Sequence, residues 1–145
     1  MHRARRAVKR PRVTAAEPLP PPALGLRHVA LRVNDLEAAE RFFVDLLGYR
    51  VEWRPDADDV YLVSRGDNVA LHRVGASPGP GALDHVGLLV AAAEDVDRWA
   101  EHLERRGATL RARPRTHRDG ARSLYVDGPE GLVVQIIHHP PISGA

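Results

Sequence analysis

Arg27-His28-Val29-Ala30-Leu31-Arg32-Val33 returns 57 positions later as Asp84-His85-Val86-Gly87-Leu88-Leu89-Val90. His, Val, Leu and Val recur in register. A repeat of fixed period is read first, because it sets the architecture. This one puts a histidine at the same point of two equivalent strands. If the two halves pack about a pseudo-two-fold axis, both imidazoles face one cavity, and a shared metal ion is the simplest reason for that.

Outward from the repeat, residues 26–33 alternate and are rich in Val and Leu, which predicts a strand. Asn34 or Asp35 then caps a helix. Leu36, Ala39, Phe43, Leu46 and Leu47 form its apolar stripe, and Gly48 ends it. Tyr49–Trp53, Val60–Ser64 and Val69–Val74 read as three further strands, giving the order βαβββ. Gly75-Ala76-Ser77-Pro78-Gly79-Pro80-Gly81 is a turn-rich joint. The order then repeats. Asp84–Val90 is a strand. Glu94–Arg106 is a helix with Val96, Trp99, Ala100 and Leu103 inward and Gly107 at its end. Ala108–Ala112, Ser123–Val126 and Leu132–His138 are strands. The expected class is α+β. Two βαβββ modules, 26–75 and 82–139, form a half-open mixed-sheet barrel within one domain over 25–145.

Composition narrows the chemistry. There is no cysteine among the 145 residues, so thiolate ligands and thiol nucleophiles are excluded. A metal would be held by His, Asp, Glu or Gln, which suits Fe, Mn, Ni, Zn or Co. No apolar run reaches the roughly 18 residues of a membrane span, and a cytoplasmic location is the default. The net charge of +2 is unevenly spread. Residues 1–24 carry Arg3, Arg5, Arg6, Lys9, Arg10 and Arg12 against Glu17, leaving the remainder mildly acidic. With Pro18, Pro20, Pro21 and Pro22 that stretch reads as a disordered, basic arm, and a nucleic-acid partner is not expected from it.

Strand residues two apart share a face. His28, Ala30 and Arg32 therefore go together, as do His85, Gly87 and Leu89. Gln135 is the polar residue inside the apolar run Leu132–Ile137, so its amide points at something polar, either a metal, a substrate or a hydrogen-bonding neighbour. Arg32 fits a carboxylate or phosphate substrate, or an ion pair with Asp35, Glu37 or Glu52. The polar loop Arg115-Thr116-His117-Arg118-Asp119-Gly120 is placed to cover a cavity mouth. Tyr61 and Trp53 read as cavity wall, with core packing the expected role of Trp53. His102, on a helix among charges, reads as solvated.

The paired modules, the two HVxLxV strands and Gly128-Pro129-Glu130-Gly131-Leu132-Val133-Val134-Gln135 resemble the vicinal oxygen chelate superfamily. Its members include glyoxalase I, fosfomycin-resistance transferases, extradiol dioxygenases and bleomycin-binding proteins. The resemblance covers residues 26–139 and implies the fold more narrowly than the reaction. It implies metal ligands at His28, His85 and Gln135, where the family usually has a carboxylate at the last position and Asp at the place of Gly128. The fourth glyoxalase ligand, a Glu, falls on Ala70. His72, two residues on, completes the site or acts as a base, and His139 is a second substitute. Tyr125 matches a family position beside the substrate. Arg32, Tyr61, His117 and Arg118 are the expected substrate contacts.

The resemblance and the paired histidines together imply a metal-dependent enzyme in which a divalent ion grips two adjacent oxygens of a small substrate. A glyoxalase-like lyase or isomerase is the first choice and an extradiol-type dioxygenase the alternative. A non-catalytic small-molecule-binding protein of the bleomycin-resistance kind is the third reading. A homodimer is implied, since in this superfamily the barrel is often completed between chains.

Overall fold

A computed structural model describes residues 20, 21 and 23–139. Apart from 20, 21, 23 and 24, the arm expected over residues 1–24 lies outside the described residues. The first module runs β1 (His28–Val33), α1 (Leu36–Arg41), a π-helical turn (Phe42–Leu46), β2 (Arg50–Trp53), β3 (Asp59–Val63) and β4 (Asn68–Arg73). The second runs β5 (Val86–Leu89), α2 (Ala93–Arg105), β6 (Leu110–Thr116), β7 (Arg122–Asp127) and β8 (Val133–His138). The sheets have the orders β1-β4-β3-β2 and β5-β8-β7-β6. In each, the first strand pairs parallel with the last, and the other pairs are antiparallel. The α+β class and the paired βαβββ units are those expected. The two sheets stay separate and do not close into a barrel.

Local chemistry sets the helix ends. The Asp35 carboxylate accepts from the Ala38 N–H at 2.9 Å, and Gly48, with φ +78, takes the left-handed conformation that ends the segment. Asp95 reaches back to the Ala92 N–H at 3.1 Å, capping α2. The π-helical turn is not visible in the residue spacing. It widens the end of the first helical segment, so Leu47 is buried while Leu46 is only partly so. β6 also runs further than its pattern suggests, through Pro114 to Thr116. It is an edge strand, where a missing N–H breaks no ladder. Arg115 and Thr116 therefore belong to the strand, not to a loop.

One hydrophobic core serves both modules. Leu36, Ala39 and Phe43 meet Val60, Leu62 and Leu71 of the first sheet in the same cluster as Val96, Leu103, Leu124 and Ile136 of the second module. The strands other than β2, whose four residues are all exposed, therefore turn one face to that core and one away. In β1, Val33 is buried and Val29 and Leu31 are half-buried, whereas His28, Ala30 and Arg32 are exposed.

A carboxylate ties the modules together. Glu130, in the left-handed conformation with φ +54, accepts from the Asn34 N–H at 2.7 Å and the Asp35 N–H at 3.1 Å. These are the residues that lead into α1. Burial pushes the Glu130 pKa up, but the two N–H groups and the Ser77 hydroxyl outweigh it and the net shift is downward. Next to it, a Cβ at Gly128 would come within 3.1 Å of the Leu132 carbonyl and of the Phe42 ring. A side chain there would need the Leu132 carbonyl and the Phe42 ring to give way by a few tenths of an ångström.

A lowered folded-state pKa adds stability above the ordinary glutamate range, and this is lost as pH falls through the folded value. Urea unfolding across pH is expected to show Glu130→Gln weaker by about 1–3 kcal/mol at neutral pH, with the gap closing in acid. Equal stability of the two proteins at neutral pH would rule the clamp out.

Candidate functional site

The first histidine is anchored from behind. His28 and Asn68 are register partners on β1 and β4, and the His28 Nδ1 lies 2.6 Å from Asn68 Oδ1. Asn68 Nδ2 in turn donates to Glu52 at 2.7 Å, which fixes which way the amide faces. An amide oxygen only accepts, so His28 donates from Nδ1 and presents the Nε2 lone pair.

The second histidine is anchored the same way by a different residue. His85 Nδ1 donates to Asp84 at 2.6 Å, again freeing Nε2. The Tyr125 ring meets His85 edge-on, with centroids 5.2 Å apart. Gln135, buried, donates from Nε2 to the Tyr125 hydroxyl at 2.9 Å. Its Oε1 lies on the Gly87 side, 3.4 Å from where a Cβ at that position would stand. Gln135 is the register partner of Gly87, two residues after His85, and Ala70 is the partner of Ala30, two after His28. Ala70 is thus the counterpart of Gln135 in the repeat, and it has no donor atom.

The rest of the first sheet's outward face is polar and aromatic. Arg32 has none of the ion pairs considered for it. Asp35 caps α1, Glu37 binds Arg73 and Glu52 binds Asn68. His72 sits on the inner strand β4, opposite Arg32, and pairs with Asp59 at 2.5 Å. Trp53 is not core. It is 58% exposed and stacks on Tyr61, with centroids 5.3 Å apart.

At the second sheet's far end, His117 Nε2 meets the buried Ser123 hydroxyl at 2.7 Å, and its Nδ1 faces Arg115 at 3.4 Å. A guanidinium only donates, so Nδ1 accepts and Nε2 carries the proton. Arg118 is exposed in the loop. The Asp119 pKa is lowered, first by the Ala121 N–H, which closes the loop's turn. His139 is drawn toward Asp119, at 3.5 Å, and does not stand in for a ligand beside Gln135. His102 is half-buried rather than solvated. Its Nε2 donates to the Leu46 carbonyl at 2.8 Å, satisfying the end of the π-helical turn.

The donor set fits a divalent ion in chemistry. Metal-bound imidazoles are oriented by an acceptor on the other ring nitrogen, which is what Asn68 and Asp84 supply. His28, His85 and Gln135 are the residues that would hold the ion. The two sets stand on different sheets, and no side-chain hydrogen bond among the described residues joins them. No three His, Cys, Asp or Glu side chains gather at one point among the described residues. The anchoring residues Asn68, Glu52, Asp84 and Asp59 escaped the reading of the sequence. Only Asp84, adjacent to His85, left a local signal. The others are brought in by strand register.

A family model described as the Glyoxalase/Bleomycin resistance protein/Dioxygenase superfamily matches residues 25–136. The chain is 32% identical over 119 residues to a 2,2',3-trihydroxybiphenyl dioxygenase of Sphingomonas paucimobilis, an alignment covering 77% of this chain and 40% of that protein. The chain thus spans well under two-thirds of that relative's length. A lactoylglutathione lyase from Agrobacterium tumefaciens superposes with TM-score 0.69 at 20% identity, over 83% of this chain and 98% of that one. A glyoxalase-related enzyme from Fulvimarina pelagi gives 0.67 at 22%, over 81% and 90%. At these identities the structural likeness is one of fold. No helix among the described residues is long and apolar enough to cross a membrane.

Tyr125→Phe strips the buried Gln135 amide of its partner. Urea unfolding is expected to show a loss of about 1–3 kcal/mol, largely recovered when Gln135→Leu is added. Additive losses in the double variant would show that the two side chains do not depend on each other.

Proposed function

The chain belongs to the Glyoxalase/Bleomycin resistance protein/Dioxygenase superfamily, and we propose that it is a metal-dependent enzyme acting on a small substrate with two adjacent oxygens. The observation that carries this is the matched anchoring of His28 and His85. At repeat-equivalent places, each ring donates from Nδ1, to Asn68 held by Glu52 in one module and to the exposed Asp84 in the other, and leaves Nε2 free. When bound, a divalent ion at His28, His85 and Gln135 would act as a Lewis acid toward the substrate's two oxygens. The Tyr125 hydroxyl, beside Gln135 and His85, would hydrogen-bond to one of them. Trp53 and Tyr61 would wall an aromatic ring, and Arg32 would hold an anionic group. His117 and Arg118, in the loop after β6, would add polar contacts to the substrate.

Between the reaction classes, the relative at 32% identity bears the name of a dioxygenase acting on a hydroxylated biphenyl. Ala70 lacks the donor of a four-ligand glyoxalase site. Both favour an extradiol-type oxygenation of an aromatic vicinal diol over a lyase or isomerase. Gln135 keeps the binding-protein reading alive, because an amide brings no negative charge to the ion. An uncharged donor set makes an anionic substrate the better partner for the occupied site.

Thermal shift with Fe(II), Mn, Co, Ni and Zn is the first test. Saturating ion at about a hundred times Kd is expected to add roughly 2.7 kcal/mol, and the gain should vanish in His28→Ala/His85→Ala. Gln135→Glu should bind the same ion about tenfold or more tightly. No stabilisation by any of the five ions in the wild type would favour the metal-free binding protein.

The half-sites also bear on assembly. β1 and β5, which carry or adjoin the two histidines, are both edge strands. Their free edges favour completion of the site by a second copy, giving a homodimer. Mixing His28→Ala with His85→Ala protein and letting subunits exchange should then restore about a quarter of the wild-type metal sites. A site closed within one chain would gain nothing from mixing.

A further inference from the structure

We propose that Asp59 is a positioning residue that makes His72 the proton acceptor for a substrate hydroxyl. This rests on the oxygen-chelate reading and adds a residue to it. Asp59 and His72 are register partners on β3 and β4, and the His72 Nδ1 lies 2.5 Å from Asp59 Oδ1. A carboxylate only accepts, so the Nδ1 proton is committed to Asp59 and Nε2 carries the lone pair. Among the described residues this is the one side-chain hydrogen bond His72 makes, which leaves its Nε2 without a partner. Each side chain is 33% exposed, so the pair is reachable by a small molecule yet held in place.

The neighbours sharpen the role. From β1, Arg32 stands opposite His72 and has no carboxylate partner among the described residues. From β3, the Tyr61 ring meets the imidazole edge-on, with centroids 6.0 Å apart, and Trp53 stacks behind it. Arg73, next on β4, is bound by Glu37 and Asp58 and does not compete for Asp59. The subsite thus combines a base, a cation and an aromatic wall, which suits a phenolic hydroxyl on a ring. In the step, the substrate O–H bond breaks, the proton passes to His72 Nε2, and the electron pair stays on oxygen. The imidazolium is compensated by Asp59. The transfer needs no oxidant or reductant.

Two readouts on the full chain test this. Long-range 1H–15N correlation spectra of the ligand-free protein report which ring nitrogen is protonated. His72 is expected as the Nδ1–H tautomer in the wild type and in Asp59→Asn, and as a mixture in Asp59→Ala. With the stabilising metal present, 4-nitrocatechol is then titrated and its ionisation followed by colour. The wild type should bind it as the anion, and His72→Ala and Asp59→Ala should ionise it about a hundredfold less well, with metal affinity unchanged. Asp59→Glu should restore part of the effect. A His72 tautomer indifferent to Asp59→Ala, or equal ionisation in His72→Ala, would overturn the inference and leave the metal site standing. A metal-loaded wild type that takes up no nitrocatechol would sink the oxygen-chelate reading and this inference with it.

Discussion

One-sided burial of the strands is the constraint on which the rest depends. A single core is shared by the helices and by one face of each sheet. Side chains alternate along a strand, so whatever does not enter that core must leave by the opposite face. His28 and Arg32 on β1, His72 on β4 and Tyr61 on β3 are gathered by this rule alone, as are Gln135 on β8 and Tyr125 on β7. A slip of one residue in any strand would exchange these groups for Val and Leu.

The parts of the fold that were legible are those written in local periodicity. The strand repeat, the stripe Leu36, Ala39, Phe43, the Asp35 cap and the glycines at 48 and 107 all act within a few residues of themselves. What was hidden depends on partners distant in the chain. Trp53 reads as core because it is large and apolar, but it lies on an edge strand and finds only Tyr61 to lean on. His102 reads as solvated because its helix neighbours are charged. Its acceptor is a carbonyl 56 residues away, exposed by a π-helical turn that no spacing announces. The strand read as ending at Ala112 continues through Pro114 to Thr116, because on an edge the missing N–H breaks no ladder. In the candidate site the histidines were visible by repetition, whereas Asn68, Glu52 and Asp59 became neighbours only through register.

The two halves solve the same orientation problem with different residues. His28 relies on an amide that is itself steered by a carboxylate, and His85 relies directly on an aspartate next to it in sequence. Direct contact with a carboxylate makes an imidazole a stronger electron donor than contact with an amide oxygen. The two modules therefore free the same ring nitrogen with acceptors of different strength. Gln135 and Ala70 extend the asymmetry, since one module offers an oxygen and the other a methyl group at the matching register.

The unpaired borders of β1 and β5 have a consequence for handling. A strand border with bare amides and carbonyls invites pairing with any compatible chain. Leu89, 52% exposed, makes the β5 border adhesive as well. Left uncovered, each border is a template for disorderly stacking, and truncation of the strand beside it would lengthen the exposed ladder.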